Sequence, residues 1–223
     1  MPRCLQRGPT VIELHYYPGY VSLFPHIVLQ EMGLAHRLIF VDRFAGVHKR
    51  ERYLALNPNG LIPVFVDGSL VLYESAAIAL HLCDMHPQTS LAPAHGTPQR
   101  AHFYKHLMWL ATHLHPALSN YLHPNKWTAD EAAQAELKAG AESKIALLFD
   151  ILDSELLAHG RPWLLGEAYS ALDAYALVLC RWSRFMARPG SQWTHLGPYC
   201  RRILERPAVQ RAFEAEHLVE PWI

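Results

Sequence analysis

Three short stretches gather residues able to do chemistry together. In Tyr16-Tyr17-Pro18-Gly19-Tyr20-Val21-Ser22 a Pro-Gly turn leads from an alternating apolar segment into a helical one. Hydroxyls at Tyr16, Tyr20 and Ser22 thus stand beside a helix N-terminus, whose dipole and free amides stabilise an anion, including a thiolate. Ser22 could instead serve only as the cap of that helix. In Tyr73-Glu74-Ser75 a strand gives way to a helix. The Ser75 hydroxyl and the leading amides can hold a carboxylate, and Glu74 an ammonium, which together match the zwitterionic end of an amino acid. Simple helix capping reads from the same residues.

The third stretch is Leu61-Ile62-Pro63-Val64. A proline at the head of a strand cannot donate to a ladder. A cis Ile62-Pro63 bond would turn the N–H and C=O of Ile62 outward, where an extended peptide can pair with them. Only about 5–6% of X–Pro bonds are cis, so the dipeptide alone favours trans.

These residues need elements to position them. Residues 11–16 alternate as a strand, and apolar positions Leu23, Ile27, Val28 and Met32 mark one face of a helix that Gly33 ends. Residues 37–42 read as a second strand, and 63–66 and 70–73 as a hairpin about Asp67-Gly68. A helix runs from Glu74-Ser75 through Cys83. The order β-α-β-α-β-β-α predicts a four-stranded α/β domain over residues 1–88. Residues 89–98 fall in a Pro-rich linker. Residues 99–223 form an all-α domain, with helical spacing over 99–122, 130–158, 171–187 and 198–214. Ser170 and Asp173 are placed to cap the third of these helices and have no catalytic part.

Composition bounds the rest. The chain has 223 residues, 51% apolar and 18% charged, enough for a sizeable core. Twenty basic residues balance twenty acidic ones, which gives no electrostatic case for nucleic acid or an anionic membrane. Cys4, Cys83, Cys180 and Cys200 form no CxxC, which fits a reducing, cytoplasmic setting. The first ten residues carry no apolar run, so no signal peptide is expected. No stretch reaches about 18 uninterrupted apolar residues. Histidine is abundant, at 15, with His102 and His106 one helical turn apart, but neither HExxH nor paired cysteines accompany them and no metal is expected.

Taken in order, YYPGYVSL, NPNGLIPVFVDG, LYESAAIALHL, the Pro-rich linker and WLLGEAYSALDAYAL resemble the cytosolic glutathione transferases, nearest the bacterial beta-like group, over nearly all of residues 11–215. The resemblance implies a thioredoxin-like N-terminal domain, an all-helical C-terminal domain and a homodimer. It places Pro63 at the family's cis-proline, Ile62 where the backbone pairs with the cysteinyl part of glutathione, and Glu74 and Ser75 at its γ-glutamyl end.

One departure matters. Val21 occupies the beta-group cysteine position and cannot form a mixed disulfide, which disfavours glutaredoxin-like exchange there. The hydroxyl that stabilises the thiolate is then expected to be Ser22, next Tyr20 in the serine slot of other groups, then Tyr16. His115 matches a histidine lining the electrophile side, and Trp109, Tyr121, Trp127, Trp182 and Phe185 are candidates to wall an apolar pocket. The implied function is transfer of glutathione to small alkyl or aryl electrophiles, or glutathione-dependent isomerisation or reduction. Glutathione is the co-substrate, and no metal, nucleic acid or membrane takes part. The alternative is a non-catalytic module that binds ligands or proteins on the same scaffold.

Overall fold

The computed structural model describes residues 11–223, so Cys4 and the leading segment lie outside the described residues. The N-terminal part runs β1 (Ile12–Tyr16), α1 (Leu23–Met32), β2 (His36–Phe40), α2 (Glu51–Leu54), β3 (Val64–Asp67), β4 (Leu70–Tyr73) and α3 (Ser75–Met85). Its four strands pair in the order β2-β1-β3-β4. β1 runs parallel to β2 and antiparallel to β3, and β3 runs antiparallel to β4. This is the thioredoxin-like arrangement. Alternation along the strands sorts the side chains: Ile12, Leu14 and Phe65 enter the main core, while Val64 joins Val41 and Tyr53 in a small cluster.

The hairpin differs from the expected register by one residue. Asp67 pairs with Leu70, so the loop residues are Gly68 and Ser69. Gly68, at φ +60°, takes the left-handed conformation that the first loop position of a tight hairpin demands.

The remainder is helical: α4 (Pro98–Trp109), α5 (His115–Leu122), α6 (Glu131–His159), α7 (Ala171–Trp182), α8 (Leu196–Leu204) and α9 (Pro207–Ala215). Two expected single helices are divided. Between α4 and α5 the chain widens into a π-turn over Leu110–Leu114. Pro116 follows at once, and with no N–H it cannot bond the Thr112 carbonyl one turn back. The predicted run 198–214 breaks before Pro207, which cannot continue the ladder of α8 but suits the first turn of α9.

α7 is the axis of this part, buried from Ala171 through Arg181. Asp173 in its first turn accepts from the Ser170 amide at 2.7 Å and hydroxyl at 3.1 Å. It also accepts from the Leu164 amide at 3.0 Å and the Tyr199 hydroxyl at 2.7 Å. One apolar core passes from the sheet through α1 to α7, where the Phe24 and Tyr175 rings stack in parallel at 4.4 Å. Among the described residues no helix is long and apolar enough to cross a membrane.

Candidate active site

A cleft of about 480 Å³ opens between one end of the sheet and the helical layer. Its floor is set by the loop before β3. The Leu61 carbonyl accepts from the Tyr53 hydroxyl at 2.8 Å and the Asn57 side-chain Nδ2 at 2.9 Å. Gly60 turns with φ +59°, and a Cβ there would lie 2.8 Å from the His48 carbonyl oxygen, so only glycine fits. This support presents Ile62 and Pro63, joined by a cis bond, at the cleft.

Beside them stand Glu74 and Ser75. Glu74 has φ +70° and ψ +111°, a conformation rare for a residue with a Cβ. It ends β4 and leaves its side chain exposed at the cleft, while buried Ser75 starts α3. Strain of this kind, worth about 1–3 kcal/mol, persists where surrounding structure holds it and often marks a working site. The four residues proposed from sequence to hold a peptide ligand therefore line one wall together.

The opposite edge is the turn from β1 into α1. Pro18, Gly19, Tyr20 and Val21 line the cleft. The Leu23 and Phe24 amides bond the Tyr20 and Val21 carbonyls, so the Val21 and Ser22 amides lead the helix. The three candidate hydroxyls separate here. Ser22, ranked first from sequence, is fully buried behind the cleft wall. Its hydroxyl donates to the Tyr17 carbonyl at 3.2 Å and accepts from the Tyr17 amide at 3.3 Å. The side chain is occupied in closing the turn and does not line the cleft. Tyr16 is also outside the lining, edge-on to Phe40. Burial and the Glu216 charge push its phenol up from the ordinary value. Tyr20 alone of the three reaches the cleft, edge-on to Tyr17 and beneath the Arg43 guanidinium at 4.5 Å.

The helical side contributes His115, whose Nδ1 lies 2.8 Å from the Tyr175 hydroxyl. The Trp182 ring meets His115 edge-on at 5.1 Å. Burial, with the Lys126 charge, lowers the His115 imidazole to about 4, so it is neutral at pH 7. Of the aromatic candidates, Tyr121, Trp182 and Phe185 line the cleft, and Trp109 and Trp127 do not. Sequence reasoning missed the cations: Arg43, Lys126, Arg181 and Arg184 line a cleft where Glu74 is the only carboxylate among the described residues. They are scattered along the chain, and a balanced net charge hides them. Among the described residues no cysteine lines the cleft, and Cys83, Cys180 and Cys200 are buried elsewhere. Among the described residues no group of three His, Cys, Asp or Glu could hold a metal ion.

Comparison with known proteins identifies the family. Residues 22–85 match the family model of the glutathione S-transferase N-terminal domain. Glutathione S-transferase GST-4.5 of Xanthomonas campestris pv. campestris is 30% identical over 207 residues, spanning 93% of this chain and all of the relative. A glutathione transferase structure from Methylococcus capsulatus superposes with a TM-score of 0.83 at 33% identity, over 94% of this chain and 100% of that one. The bacterial beta-class enzyme of Sphingomonas chungbukensis superposes at 0.81 with 32% identity, over 93% and 100%.

Proposed function

Because this chain belongs to the glutathione S-transferase family, we propose that it joins the sulfur of glutathione to small alkyl or aryl electrophiles within this cleft. The observation that carries the reading is the shared wall of Ile62, Pro63, Glu74 and Ser75. A tripeptide laid along it pairs its cysteinyl backbone with Ile62, gives its γ-glutamyl ammonium to Glu74 and its carboxylate to the Ser75 hydroxyl and the α3 amides. Its thiol then points to the start of α1.

A free thiol titrates near about 8.5, so a shift of a unit or two suffices at neutral pH. The Tyr20 hydroxyl and the leading amides of α1 supply it, because Ser22 is turned away. The thiolate attacks the electrophilic carbon, the carbon–sulfur bond forms, and the leaving group departs with its electron pair. His115, Trp182 and Phe185 face that second substrate. With Val21 in place of a cysteine, no thiol among the described residues lines the cleft, and the reactive thiol comes from glutathione.

Calorimetry with reduced glutathione tests the reading, followed by turnover of a chromogenic aryl halide. We expect saturable binding, and Glu74→Gln weakens it by about tenfold to a hundredfold, the loss of one charge-assisted hydrogen bond. Absence of saturation at millimolar glutathione would rule the proposal out. Saturable binding without turnover of any electrophile class would favour the non-catalytic module.

A further inference from the structure

The peptide that leads into Tyr20 is held from both sides by residues far along the chain. The Gly19 amide donates to Glu216 Oε2 at 2.9 Å. The Gly19 carbonyl accepts from Trp182 Nε1 at 3.0 Å. Gly19 has φ +70°, and Leu218 lies 3.5 Å from where a Cβ would stand. Both hydrogen bonds span more than 160 residues, and neither follows from the local turn.

Glu216 is built for this contact. Its side chain is wholly shielded from solvent, and its second oxygen accepts from His26 Nδ1 at 2.9 Å. Its own amide closes the end of α9 on the Ala212 carbonyl at 3.1 Å. Beyond it, the buried Arg181 guanidinium donates to the Pro221 and Trp222 carbonyls at 3.2 and 2.7 Å. A buried carboxylate is costly unless hydrogen-bonded, and here one of its two oxygens is given to the cleft loop.

We propose that Glu216 is a positioning residue for the transferase reaction: through Gly19 it fixes where Tyr20 and the leading amides of α1 meet the glutathione sulfur. The inference rests on the proposed function. Glu216 lies outside the cleft lining, so its effect falls on the thiol and not on the γ-glutamyl end, which Glu74 and Ser75 hold.

The test compares wild type, Glu216→Ala and Glu216→Gln by ultraviolet titration of bound glutathione thiol, glutathione affinity and steady-state kinetics. Ala removes the acceptor. Gln keeps one oxygen for the Gly19 amide and serves as the rescue, and it remains informative if the Ala protein is poorly folded. For Glu216→Ala the expected result is a bound-thiol midpoint raised by about one pH unit and kcat/KM lower on the order of tenfold to a hundredfold. Glutathione affinity stays within about threefold of wild type, and Glu216→Gln recovers most of the thiol shift. A folded Glu216→Ala protein with a wild-type thiol midpoint would overturn the inference. So would a Gln variant as impaired as Ala, or a loss confined to thermal stability. Wild type that binds no glutathione overturns the proposed function and this inference with it. Wild type that binds, beside unshifted variants, overturns this inference alone.

Discussion

A hydroxyl next to a helix start can face a ligand or close the turn it sits in, and the residue type does not say which. Ser22 and Tyr20 divide those roles: the first is bonded twice to Tyr17, the second lies at the cleft. Their substitutions should therefore separate. Tyr20→Phe is expected to raise the bound-thiol midpoint by about one unit, read by ultraviolet titration. Ser22→Ala should leave that midpoint in place and lower stability by about 1–2 kcal/mol in urea unfolding, since the Tyr17 amide loses its partner. The reverse pattern would return the role to Ser22. At this scale the sequence was informative about where Ile62, Pro63, Glu74 and Ser75 lie, because backbone at element ends sets their place at the cleft. It was least informative where a rotamer decides, as at Ser22.

Elements were legible where local chemistry dictates them. Gly33 closes α1 at φ +64°, and Asp130 caps α6 by accepting from the Ala132 and Ala133 amides. The pairing of Ser170 with Asp173 likewise follows from their spacing. The Tyr199 and Leu164 bonds to the same carboxylate do not, because they come from elsewhere in the fold. Four donors around one buried acid make α7 vulnerable at its head. Asp173→Ala should cost about 3 kcal/mol or more in denaturant unfolding. A cost below about 1 kcal/mol would mean that the carboxylate does not organise this junction. The break between α8 and α9 was visible as Pro207 but is obscured by apolar spacing that continues across it. The π-turn ahead of Pro116 left no periodic signal at all.

For the molecule as a whole, acid sensitivity should come largely from histidine. Burial lowers His115 to about 4, and lowers His15, His36, His106 and His123 as well. A histidine depressed in the native state binds its proton first in the unfolded chain. Stability is therefore full above the unfolded value near 6.5 and is lost as pH falls toward about 4. The His115 share is on the order of 2–3 kcal/mol. Urea unfolding at pH 7 and pH 5 should show His115→Asn losing less stability over that interval than wild type, and an equal loss would discount His115. The long-range partners of Gly19, at separations of 163 and 197 residues, carry one more consequence. In a growing chain the Pro18–Tyr20 turn is made more than 160 residues ahead of the side chains that flank it. A nascent N-terminal half can complete its sheet on the ribosome, but this corner of the cleft acquires both supports only once Trp182 and Glu216 have been added.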